Sequence, residues 1–128
     1  MPFATHEEYF ATLPHEIRVR MEQVRAEVER RVPDAVRCIS YNLPAFRTKR
    51  TFFYFAAFKK HIGVYPPATA DLALVAETAR FRGPKGNLSF PIAEPLPLEL
   101  IGRVAAALSA QYSASLDGKL RHAAQLQR

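Results

Sequence analysis

A chain of 128 residues, 48% of them hydrophobic, is long enough for one domain with a core of its own. That composition excludes a disordered linker, and the single cysteine, Cys38, excludes an internal disulfide framework and suits a reducing compartment. The net charge of +6 is uneven: residues 1–34 hold seven acids and five Lys/Arg, whereas residues 35–128 hold five acids and thirteen Lys/Arg.

The excess positive charge favours anionic partners, namely a small anionic ligand or an acidic protein surface. High pI alone is a weak footprint for nucleic acid, which is not the expected partner. No apolar run approaches the roughly 20 residues of a membrane span. The opening MPFATHEEYF lacks the basic and apolar regions of a signal peptide. The expected location is therefore cytoplasmic, with no membrane partner.

Thr5-x-x-Glu8 has the spacing of a capping box, in which the hydroxyl accepts from a first-turn N–H and the glutamate reaches back. A short helix over 6–11 follows, offering Tyr9, Phe10 and Leu13 to a core. Thr12 is placed to cap a second helix, with Pro14 tolerated in its first turn. Ile17, Met21, Val24 and Val28 fall on one face at the helical period, and Pro33 marks the end of that helix.

From Val36 the period changes. Residues 36–41 read as a strand, Asn42-Leu43-Pro44 as a turn because proline removes a ladder donor, and 45–49 as a second strand. Residues 51–58 are dense in aromatic rings and are the candidate central strand. Lys59-Lys60-His61 is a tight connection, so the next strand, 62–65, runs antiparallel to it. Pro66-Pro67 ends the run. A short helix over 71–79, a basic loop over 80–86 and a short strand over 88–90 come next. The last helix carries Ile101, Val104, Leu108 and Tyr112 on one face, and Asp117-Gly118 is predicted to interrupt it.

Helices and consecutive antiparallel strands are segregated along the chain, which is the pattern of an α+β fold. The expected architecture is an antiparallel sheet of about five strands, with the N-terminal helix pair and the C-terminal helix packed on one face. The other face is then partly solvated. The predicted core is Ile17, Met21, Val24, Val28, Phe53, Phe55, Ile101, Val104 and Leu108. Residues 5–113 form the domain and 114–128 a polar tail.

Three stretches carry a family resemblance: Ser40-Tyr41-Asn42-Leu43-Pro44-Ala45-Phe46, residues 55–66 (FAAFKKHIGVYP), and Lys85-Gly86-Asn87-Leu88-Ser89-Phe90-Pro91. Together with the opening helix pair and the Pro97-Leu98 start of the last helix, they resemble the YdhG-like domain family over about residues 5–112. The resemblance implies an α/β sandwich related to the frataxin-like domains. It also implies, for part of the family, a role as an intracellular iron chaperone, in which acidic side chains hold iron for delivery to cluster or haem assembly.

An iron site needs hard oxygen ligands gathered on one surface. The acids available are Glu7, Glu8, Glu16, Glu22, Glu27, Glu29 and Asp34, but Arg18 stands four before Glu22 and Arg25 four before Glu29. Such pairs read as a solvated helix face. No metal ligand set is assigned from the sequence, and no cofactor is expected unless it is iron. No Gly-x-Ser-x-Gly elbow or spaced metal set is present, so a catalytic constellation is not expected either. Cys38 reads as a small buried hydrophobe, and His6, His15 and His122 as solvent-facing. Arg80, Arg82 and Lys85 lack the spacing of a phosphate-binding loop.

The expected site is instead a non-enzymatic one for an anion. Lys59, Lys60, His61 and Lys85 supply cations in two turns that flank ring-rich strands. Tyr41, Lys60, His61, Tyr65 and Lys85 are the candidate ligand-binding residues: a cationic rim over an apolar floor suits an organic anion.

Overall fold

The protein is described here by a computed structural model, which places residues 2–126 and gives side chains through residue 113. The elements are α1 (His6–Phe10), α2 (His15–Arg31), β1 (Val36–Ser40), β2 (Leu43–Arg47), β3 (Thr51–Ala57), β4 (His61–Tyr65), α3 (Leu72–Glu77), a 3₁₀ turn (Ala79–Phe81), β5 (Leu88–Pro91) and α4 (Leu98–Leu126). The strands form one antiparallel meander in chain order, with the aromatic β3 at its centre.

The capping box forms. Thr5 Oγ1 accepts from Glu8 N at 3.1 Å, and Glu8 reaches back to Ala4 N at 3.4 Å, one residue before the cap. Thr12 does not cap α2. Its hydroxyl donates to Tyr9 O at 2.7 Å, closing α1, and Pro14 takes the N-cap position of α2 with no side-chain bond. Asp71 caps α3, accepting from Leu74 N at 3.1 Å. Helix α4 runs without a break through Asp117-Gly118, where an interruption was expected.

Helices α2 and α4 pack on one another and on β3. Met21, Val24 and Val28 from α2 and Ile101, Val104 and Leu108 from α4 are fully or almost fully buried against Phe53 and Phe55. Ile17, expected in the core, is only partly buried and packs at its margin. A bulge between Phe46 and Arg47 gives β3 one extra residue opposite β2. Bulges break strict alternation, and here the neighbours Phe52 and Phe53 are both completely buried.

The β1–β2 hairpin is tighter than expected. Ser40 pairs with Leu43, so the turn is Tyr41-Asn42 alone, with φ of +53° and +58°. Two successive positive φ values define the mirror-image turn whose twist matches antiparallel strands. Leu43 and Pro44 therefore belong to β2. Pro44 is opposite Ile39, and the register with β3 begins only at Ala45, so its missing donor falls where that ladder has ended. Beyond that point α1 covers the exposed edge of β3: the Tyr9 hydroxyl accepts from Ala57 N at 3.0 Å.

Among the described residues, no helix is long and apolar enough to cross a membrane.

Candidate functional site

The helices bury one face of the sheet and leave a ring-lined hollow on the other. Strand register sets its floor. Tyr54 is opposite Tyr65, and Gly63 is opposite both Ala56 and Ser89. The Tyr41-Asn42 turn brings the Tyr41 ring within 6.0 Å of the Tyr54 ring. Tyr41, Leu43, Tyr54, Tyr65, Pro66 and Asn87 line a hollow of about 350 Å³. A second, of about 320 Å³, is bordered by His61, Tyr65, Gly83, Pro84, Lys85, Asn87 and Ser89. Tyr65 and Asn87 border both, so the two hollows adjoin along a shared wall, one aromatic and one basic, and together make up the trough.

Tyr65 owes its place to Gly63. A Cβ on Gly63 would lie 2.5 Å from the Tyr65 hydroxyl oxygen and 2.9 Å from Cζ. The phenol therefore lies back over a bare backbone two residues earlier on the same face. Partial burial raises the Tyr65 pKa above its ordinary value, with the nearby Tyr9 adding to it, so the phenol stays a neutral donor. Lys85 is presented by a reverse turn: Gly86 N donates to Gly83 O at 2.9 Å, with Pro84 and Lys85 at its centre and Gly86 at φ +88°. His61 stacks on Phe58, rings 4.6 Å apart and 16° from parallel.

Tyr41 stands out. It is 88% exposed and holds φ +53°. A bulky side chain at positive φ is an outlier, and such local strain concentrates at functional positions. Asn42, at φ +58°, is a residue type that tolerates this region, and its Oδ1 accepts from Phe3 N at 2.7 Å.

The structure thus brings Tyr41 and Tyr65 to one hollow and His61, Tyr65 and Lys85 to the other. Lys60 borders neither; it sits exposed in the β3–β4 turn, where its carbonyl accepts from Ile92 N at 2.9 Å. Lys59 borders a different hollow, with Leu13, Pro14 and Ile17. Sequence reasoning missed Leu43 and Asn87, and it weighed Tyr54 as a pocket ring but gave it to core packing. Tyr54 was legible, because it lies on the face opposite Phe53 and Phe55; Asn87 depends on a loop closure that no periodicity encodes.

Four of the seven N-terminal acids, Glu7, Glu22, Glu27 and Glu29, are held by arginines. Arg25 pairs with Glu7 at 3.0 Å, in place of the expected Glu29, and Arg37 of β1 pairs with Glu29 at 2.7 Å and Glu7 at 3.3 Å. Arg18–Glu22 forms as expected, at 3.8 Å, and Glu27 holds Arg30 and Arg31. The Arg30 hydrogen bond holds the Glu27 carboxyl below the usual range, and the Arg37 hydrogen bond does the same for Glu29. Among the described residues, no three His, Cys, Asp or Glu side chains converge as a metal site would require. Cys38, expected to be buried, is only partly so, and that burial still pushes its thiol pKa up, which favours the protonated form.

His6 differs from its expected solvent-facing position: it is 2% exposed. The signal was present, since His6, Tyr9 and Phe10 stand at i, i+3 and i+4, one helical face. His15 is exposed, and the His122 side chain lies outside the described residues.

Among solved structures, the chain is similar to YdhG of Bacillus subtilis, a protein from the DUF1801 family, with a TM-score of 0.69 over 79% of this chain and 85% of that one. The fold is YdhG-like. Sequence identity is 20%, so the likeness extends to the fold and leaves the chemistry to the residues of the trough. The sequence matches no family model and no curated protein. The YdhG-like fold agrees with the family resemblance of the three motifs, all of which contribute to the trough: Tyr41 from the first, His61 and Tyr65 from the second, Lys85 and Asn87 from the third.

Proposed function

We propose that this domain is a non-enzymatic binding module for a small organic anion that carries a planar ring. The observation that supports the reading is the shared wall of the two hollows. Tyr65 and Asn87 join a floor of three tyrosines to an end bearing Lys85 and His61. Tyrosine rings offer flat apolar area with few rotamers to freeze. The lysine ammonium offers charge, and the Asn87 amide and Ser89 hydroxyl offer orientation. A ring on the tyrosines with a carboxylate or phosphate at Lys85 uses every one of these groups.

The test is a titration of aryl carboxylates and aryl phosphates, with inorganic phosphate as the ringless control, followed by amide NMR. Binding is expected to shift signals of Tyr41, Tyr54, Tyr65 and Asn87. It should weaken in Lys85→Ala and as salt rises, because an exposed charge is screened within about 10 Å at 0.1 M. Lys60→Ala should leave it unchanged. Ferrous iron, titrated anaerobically, is the competing arm. Tight ferrous binding indifferent to Lys85→Ala, with no response to aryl anions, would replace this reading with the iron carrier.

A further inference from the structure

His6 is a titratable side chain sealed in the interface between α1 and the β1–β2 hairpin. Its Nε2 lies 2.9 Å from Ala45 O and 3.1 Å from Cys38 O, two residues paired across that hairpin. Both partners are carbonyl acceptors, so Nε2 must carry the proton. The neutral ring then bears its lone pair on Nδ1, which is buried and has no hydrogen-bond partner among the described residues. Rings enclose it: Phe46 at 5.3 Å, Phe55 at 5.7 Å and Phe10 at 5.9 Å.

A second proton would sit on Nδ1, facing rings and finding no acceptor. The charged groups around it oppose that proton. Arg25 of α2 lies over the Phe10 ring at 4.7 Å, and Arg37 projects from β1; both repel an imidazolium. Glu7 of α1 and Glu29 of α2 have the favourable sign, but each is already bound to those arginines. Burial is the largest cause of a His6 pKa below its ordinary value, and the two carbonyl bonds offset it only in part.

We propose that His6 is an acid-operated latch: neutral, it pins α1 to the β1–β2 hairpin, and when doubly protonated it releases α1 from the sheet. The attachments that open with it are the bond from Ala57 N to the Tyr9 hydroxyl and that from Phe3 N to Asn42. The second reaches the Tyr41-Asn42 turn, so release also frees one rim of the trough.

The sign follows from linkage. Because the folded pKa is depressed, the latch contributes fully above the histidine value of the opened state, about 6.5. Below it the opening constant rises about tenfold per pH unit until the folded pKa is reached, and is level beyond.

The experiment uses the whole chain labelled with ¹⁵N. Ring ¹⁵N shifts at neutral pH should report a protonated Nε2 and a bare Nδ1 for His6. Hydrogen-exchange protection at Ala57 N and Ala11 N, corrected for intrinsic rate, should fall by up to tenfold per unit from pH 6.5 toward 5, while amides in the middle of α2 hold. In His6→Gln, whose side-chain amide donates to the same carbonyls but does not titrate, that dependence should vanish. A protonated Nδ1 at neutral pH, flat protection at Ala57 in the wild type, or an unchanged slope in His6→Gln would each overturn the proposal. If His6→Gln does not fold, the wild-type ring titration decides: a His6 that gains its second proton at or above the ordinary value, with α1 still protected, refutes the latch.

Discussion

Phe55 occupies the point where α1, the sheet and the helix-side core meet, and its removal is the sharpest test of that packing. The ring is fully buried, stacked on Phe46 at 5.9 Å and flanked by Phe53 at 5.8 Å, His6 at 5.7 Å and Phe10 at 6.1 Å. Phe55→Ala deletes the whole ring from a site whose walls belong to three elements and cannot close independently. Core Phe→Ala replacements cost about 3–5 kcal/mol. The lost edge-to-face partners place this one in the upper half of that range. With an unfolding entropy of about 2.1 cal/mol/K per residue, that corresponds to a fall in Tm of roughly 15–19 °C for a chain of this length. The assay is thermal and urea unfolding followed by circular dichroism, with Leu72→Ala as the control. Leu72 is 78% exposed, so its truncation should change stability by less than about 0.5 kcal/mol. A Phe55→Ala variant within about 1 kcal/mol of the wild type would refute the enclosure of this ring and the assignment of β3 as the core strand.

Two further substitutions separate binding from stability. Gly63→Ala puts a methyl 2.5 Å from the Tyr65 hydroxyl oxygen and must drive the phenol off the strand. Overpacking of this kind costs about 1–3 kcal/mol, with the low end expected because Tyr65 is only partly buried. Aryl-anion affinity should fall with it, and wild-type affinity in the variant would remove the orientation of Tyr65 from the account. Tyr41→Asn installs a residue suited to positive φ, and it should raise stability by up to about 1 kcal/mol while weakening aryl-anion binding. A loss of stability above about 1 kcal/mol, measured by urea unfolding, would mean that Tyr41 is retained for packing.

The sequence by itself determined the elements and their order. A helical period over Ile17–Val28, strand-like runs from Val36 and short basic turns between ring-rich strands are local patterns, each enforced by backbone geometry within a few residues. The α+β architecture, the antiparallel order and eight of the nine predicted core residues follow from them, with Ile17 left at the margin. The reach of individual side chains was decided elsewhere. Lys60 and His61 are neighbours in sequence, yet only His61 borders the trough. Arg25 pairs with Glu7 of α1 and not with Glu29 of its own helix, and Glu29 turns to Arg37 of a strand that sequence spacing does not reveal. His6 carries the apolar spacing of α1, but its two carbonyl partners lie 32 and 39 residues away. A buried polar group is tolerated only where distant backbone supplies its partner, and that supply exists only once the hairpin has closed beneath the helix.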